Sequence, residues 1–117
     1  MVRVAPGIAI ALLAALTLGA ARTAGAADET IPSATRQREL IALLRNDCGS
    51  CHGMRLTGGL GPALTPAALR ERPPGSLAAT ILYGRSGTAM PPWRRFVSES
   101  EARWLEAQLV TGLADGR

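Results

Sequence analysis

Apolar residues along this chain recur at helical spacing and nowhere alternate as a half-buried strand requires. Leu40, Leu44 and Cys48 fall at i, i+4 and i+8, with Ile41 and Leu43 beside them, which predicts a helix over about 33–46 whose apolar face leads to a cysteine. Gly53, Gly58, Gly59 and Gly61 then mark a loop without periodicity. Thr65-Pro66, a cap followed by proline in the first turn, opens a short helix through Arg70. Pro73-Pro74-Gly75 breaks the chain again, and Ser76 is expected to cap a helix carrying Leu77, Ile81 and Leu82 that stops at Gly84. A Gly/Pro loop around Met90 follows. Ser98-Glu99-Ser100-Glu101 has the form of a capping box, starting a helix to about Val110 with Ala102, Leu105 and Leu109 on one face. No repeat or low-complexity tract intervenes, so the fold class is all-α.

The first residues read differently. Arg3 precedes an apolar run of 14 residues, 8–21, and Ala24-Gly25-Ala26 then fits a small-residue cleavage site. The run is short against the about 20 residues needed to span a bilayer. Residues 1–26 are therefore expected to be a cleaved signal peptide and 27–117 the functional domain, exported to the periplasm without stable membrane insertion.

Cleavage leaves 91 residues, enough for one domain with a modest core. It also removes Arg3 and Arg22, so 11 arginines face 9 acidic groups and the net charge falls from +4 to +2. Such a weak charge argues against nucleic acid as a partner. Nothing in the composition calls for more than a monomer.

The most specific chemistry sits at Cys48-Gly49-Ser50-Cys51-His52, the C-x-x-C-H attachment sequence for a c-type haem. Two thiols three positions apart can add to vinyl groups on one edge of the macrocycle, and the imidazole after the second thiol then lies beneath the iron. A zinc site is excluded because no other cysteine and no other histidine exists to complete its shell. A thioredoxin-like dithiol lacks its βαβ surroundings. Haem c attachment is completed outside the cytoplasm in bacteria, in agreement with the export signal. Both cysteines are used by the motif, so no structural disulfide is available.

Composition also restricts the second axial ligand. All 13 basic residues are arginine, and His52 is the single histidine, so neither Lys nor a second His can bind the iron. Met54 is too close in sequence to His52 to reach the opposite face. Met90 remains, in a Gly/Pro loop with no helical face for it to fill, and is the expected distal ligand.

With these residues in hand, the chain resembles the small monohaem class I cytochromes c over essentially all of residues 27–117. The resemblance rests on Cys48, Cys51 and His52, on Gly61-Pro62-Ala63-Leu64, on Met90-Pro91-Pro92 and on the terminal helices. It implies short helices packed around one covalent haem c, with terminal helices that cross. It also implies that the Pro62 carbonyl accepts a hydrogen bond from the His52 ring, which orients the ligand and raises its basicity. The wording Asp47-Cys48-Gly49-Ser50-Cys51-His52-Gly53, then Leu56-Thr57-Gly58-Gly59-Leu60-Gly61-Pro62, is similar to the periplasmic cytochromes c encoded beside cytochrome cd nitrite reductase. So are Pro91-Pro92-Trp93 and Glu101-Ala102-Arg103-Trp104-Leu105.

That resemblance implies a non-enzymatic carrier of single electrons in denitrification, taking them from a quinol-oxidising complex and passing them to cytochrome cd nitrite reductase. An accessory role in d-type haem maturation is an alternative, as is a five-coordinate sensor or enzyme if Met90 does not bind. Arg55, Arg85, Arg94 and Arg95 are placed to ring a haem edge, or simply to form a solvated surface that also pairs with the haem propionates. Trp93 and Trp104 are expected in packing, with a place lining the haem pocket as the alternative for Trp93 beside Met90, and Tyr83 and Phe96 are expected in the core.

Overall fold

The computed structural model describes residues 31–112; residues 1–26, read above as a signal peptide, lie outside the described residues. Helix α1 (Ala34–Leu43) begins at Ser33, whose hydroxyl accepts from the Arg36 amide at 3.2 Å. It does not end near residue 46. A π-helical segment (Leu44–Cys48) and helix α2 (Gly49–His52) carry it on, so the cysteine motif is itself helical. The π turn is closed by the Gly49 amide on the Leu44 carbonyl, one residue further than an α-helical bond. This extra residue rephases the helix. The fully covered row becomes Leu40, Leu44 and Gly49, and Cys48, expected on that row, is turned partly out of it.

Thr65 caps α3 (Pro66–Leu69), its hydroxyl accepting from the Ala68 amide at 3.3 Å. Helix α4 (Ser76–Tyr83) departs from expectation at its start, because Gly75 and not Ser76 is the cap, in a left-handed conformation at φ 78°. The hydrogen-bonding partner comes from elsewhere. The Glu106 carboxylate of α5 (Glu99–Thr111) accepts from the Gly75 amide at 3.0 Å and the Ala78 amide at 3.3 Å. An anion at the positive end of α4 is favoured over a neutral hydroxyl. Helix α5 has the capping box expected of it: the Ser98 hydroxyl accepts from the Glu101 amide at 3.2 Å, and the Glu101 carboxylate accepts from the Ser98 amide at 2.8 Å.

Helix α5 packs against α1, α3 and α4. Its Ala102, Leu105 and Leu109 meet Leu40, Leu44, Leu69, Ala78, Leu82 and Val97 in one buried cluster. Each fully covered leucine contributes about 1.5–3 kcal/mol relative to its exposed state. Leu56 joins this core from the loop after the motif, at φ 57°. The left-handed backbone costs about 1–2 kcal/mol at a residue with a Cβ, and burial of the side chain offsets it. Arg36 of α1 ties the two terminal helices together: its Nε donates to Glu101 Oε1 at 2.6 Å and its Nη2 to the Phe96 carbonyl at 2.7 Å. Tyr83 and Phe96, expected in the core, are instead exposed, because their chain neighbours Leu82 and Val97 take the buried positions. Among the described residues there is no strand, and no helix is long and apolar enough to cross a membrane.

Candidate functional site

The helices leave a cleft of about 850 Å³, bordered by Cys48, Cys51 and His52 on one element and by Met90 on a distant loop. Its floor is apolar, with Leu44 of the π segment and Leu105 and Leu109 of α5. The loop after the motif folds back onto α2 through main-chain bonds. The Gly58 amide donates to the His52 carbonyl at 2.9 Å, and the Gly61 amide to the Cys51 carbonyl at 2.8 Å. These bonds bring the Pro62 carbonyl to 2.7 Å from His52 Nδ1. A carbonyl can only accept, so Nδ1 carries the proton and Nε2 keeps its lone pair for a metal. Gly61 makes this approach possible. A Cβ there would stand 2.7 Å from both Cε1 and Nδ1 of His52, closer than side-chain carbons are found.

The loop bearing Met90 is fastened to the end of α4. The Arg85 amide donates to the Met90 carbonyl at 3.2 Å, the Trp93 amide to Ile81 at 2.9 Å and the Arg94 amide to Leu82 at 3.2 Å. Gly84, at φ 68°, allows the two arms of this turn to touch; a Cβ there would lie 2.6 Å from the Met90 carbonyl oxygen. The Met90 amide is held by the Thr88 hydroxyl at 3.3 Å.

The chemistry of this donor set suits a haem. Two free thiols, an imidazole with Nε2 available and a thioether share one largely apolar cleft, and the glycine against the imidazole leaves that ring its space. Burial, together with the Asp47 carboxylate and the neighbouring Cys51, pushes the Cys48 thiol up to about 11, so it is neutral near pH 7. Among the described residues no three His, Cys, Asp or Glu side chains cluster as a separate metal site. Trp93 and Trp104 both pack against the core as expected, and Trp93 also borders the cleft. Of the four arginines singled out from sequence, only Arg85 borders the cleft, and Arg72 joins it unforeseen. By local sequence Gly84 is only a helix stop. Its second role, the close approach to Met90, has no local sequence signal.

Known proteins resemble this chain in sequence and in fold. The family model described as cytochrome C oxidase, cbb3-type, subunit III matches residues 35–107. Cytochrome c55X of Pseudomonas aeruginosa is 60% identical over 88 residues, covering 75% of this chain and 73% of that protein. The solved structure of a c-type cytochrome NirC is 58% identical and superposes with a TM-score of 0.70, covering 71% of this chain and 98% of that one. A dihydro-heme d1 dehydrogenase of Pseudomonas aeruginosa is 37% identical over 68 residues, which cover 58% of this chain but only 14% of that longer protein.

Proposed function

Because the chain belongs to the cytochrome c family, among small monohaem proteins similar to cytochrome c55X and NirC, and carries covalent haem c, we propose that it is a periplasmic carrier of single electrons in denitrification. In this reading Cys48 and Cys51 would form the thioether links, His52 Nε2 would bind the iron, and Met90 would supply the second protein ligand. Pro62 holds the His52 proton on Nδ1 and so strengthens Nε2 as a donor. What supports the assignment most is the meeting of Cys48, Cys51, His52 and Met90 at a single cleft, with the His52 tautomer already set. When bound, the haem supplies a one-electron ferric/ferrous couple whose potential is raised by a thioether ligand.

With His52 and Met90 both engaged, no coordination position is left for a substrate, which favours outer-sphere transfer over catalysis. The proposed donor is a quinol-oxidising complex and the proposed acceptor cytochrome cd nitrite reductase, met in brief encounters. The ferric protein is expected to show the Met-to-iron charge-transfer band near the red end of the spectrum. The reduced protein is expected to ignore carbon monoxide and to pass electrons to cytochrome cd nitrite reductase at a rate that falls with salt. Rapid carbon monoxide binding by the wild type would remove the ligand assignment and with it the carrier reading.

The stretch shared with a dihydro-heme d1 dehydrogenase favours a second reading, in which the same cytochrome accepts electrons during d-type haem maturation. Normal ligation without detectable exchange with the nitrite reductase is the outcome that selects it.

A further inference from the structure

The two side chains read as iron ligands stand on separate pieces of chain. His52 closes the helical run that starts at Ala34, while Met90 lies in the connection between α4 and α5. Among the described residues, one hydrogen bond joins that helical run directly to this connection. It runs from Arg36 Nη2 to the Phe96 carbonyl at 2.7 Å, the length of a charge-assisted bond. The guanidinium is held in place by its other bonds: Nε to Glu101 Oε1 at 2.6 Å, Nη2 to Glu101 Oε2 at 3.2 Å, and Nη1 to Glu39 Oε2 at 2.9 Å. From Phe96 the connection leads back to Met90 with little freedom. The Phe96 and Val97 amides both donate to the Trp93 carbonyl, at 2.8 Å and 3.1 Å, closing a turn. Pro91 and Pro92, each with φ fixed by its ring, join that turn to Met90. Met90 and Trp93 both border the cleft, so a shift of the turn moves the wall that carries the thioether.

We propose that Arg36 is a positioning residue for the distal ligand: through the Phe96 carbonyl it ties the Met90-bearing connection to the helix that leads to His52. The proposal rests on Met90 binding the iron. Its physical basis is effective concentration. A ligand on a tether competes with free ligand at an effective concentration set by how firmly the tether is held. The Trp93 amide on Ile81 and the Arg94 amide on Leu82 fasten the connection to α4. Those bonds do not reach the helix on which His52 is mounted. Arg36 supplies that link, and with it a constraint on the separation of the two ligands. A lysine cannot replace it, because a single ammonium lacks the fork that serves Glu101 and Phe96 together.

The test is a titration of the ferric, haem-loaded protein with imidazole, a free ligand that replaces the thioether, followed by loss of the red-end charge-transfer band. Arg36→Ala is expected to bind imidazole about 3- to 10-fold more tightly than the wild type, a fraction of what a charged hydrogen bond contributes when wholly transmitted. Arg36→Lys keeps a charge for Glu101 but not the fork. It is expected to recover part of the thermal stability yet to bind imidazole nearly as tightly as Arg36→Ala, and it serves if Arg36→Ala fails to mature. Glu101→Gln leaves the guanidinium on Phe96 and is the control, expected to lose stability while keeping the wild-type imidazole affinity. A role confined to stability would instead make the affinities follow the melting temperatures. The proposal is overturned if both Arg36 variants bind imidazole as the wild type does, or if Glu101→Gln binds it as tightly as Arg36→Ala. A wild-type ferric protein without the charge-transfer band overturns the Met90 assignment and this proposal together.

Discussion

Replacing Gly61 by alanine tests how closely the proximal histidine is seated. Gly61 does not have a positive φ, so the substitution leaves backbone strain aside and probes space alone. The new Cβ would lie 2.7 Å from two His52 ring atoms, against 3.4–4 Å for ordinary contact. The ring must withdraw by roughly 0.7 Å, and a hydrogen bond from Nδ1 to Pro62 that now measures 2.7 Å is stretched towards the 3.6 Å at which none remains. Overpacking costs about 1–3 kcal/mol and the lost bond about 0.5–1.5, together about 2–4 kcal/mol. For a domain of this size that lowers the melting temperature by roughly 10–25 °C. The assay is thermal unfolding of the haem-loaded protein by helical circular dichroism, with the red-end charge-transfer band recorded alongside. Gly75→Ala is the comparison: its φ is 78° and nothing lies within 4 Å, so it reports only the left-handed backbone cost of about 1–2 kcal/mol. A Gly61→Ala protein that melts with the wild type and keeps its spectrum would refute the contact.

Met90→Ala, with no lysine or second histidine to substitute, is expected to give a high-spin or water-ligated ferric haem that binds carbon monoxide once reduced, with a lower potential. Leu40→Ala, at a position with no solvent exposure, is expected to cost about 2–5 kcal/mol in a denaturant titration without moving the visible spectrum. The Arg36 guanidinium and the Ser98 amide hold the Glu101 carboxyl below its ordinary range. A depressed folded-state value contributes stability that is present above the unfolded value of 4.5 and is lost as pH falls through the folded one. Glu101→Gln is therefore expected to be about 1–2 kcal/mol less stable at pH 7, a figure already reduced for the partial exposure of both partners, with the difference closing in acid. A gap that persists below that window would trace the loss to packing and not to the charge pair. Glu106→Ala is expected to fray α4 at its start, read as faster amide exchange at Ala78 and Ala79 than in the wild type.

What could be read from the residues alone was whatever local spacing encodes. The haem attachment motif, the helical periodicity of Leu40 and Leu44 or of Ala102, Leu105 and Leu109, and the caps at Thr65 and Ser98 each lie within a few residues of what they act on. Met90 stands out for a different reason, that composition leaves no competing candidate ligand, and the structure brings it to the same cleft as His52. The Pro62 partner of His52 came from family resemblance, and the 2.7 Å contact now gives it a physical basis. Four features depended on contacts between distant segments. The π turn at Leu44–Cys48 moves Cys48 off the buried row, a choice made by how Leu44 and Gly49 pack and not by the propensity of the residues in between. Glu106 caps α4 from a residue 31 positions beyond Gly75, a bond no window of sequence contains. Leu56 accepts a left-handed backbone because the core rewards its side chain. Arg72 and Ser76 reach the cleft because the Pro73-Pro74 turn folds beside α5, which frees a hydroxyl that by local rules should have been a helix cap. Local hydrogen bonds and periodicity are short-range and therefore written along the chain; which of several such options is taken is decided by burial, and burial exists only once the helices meet.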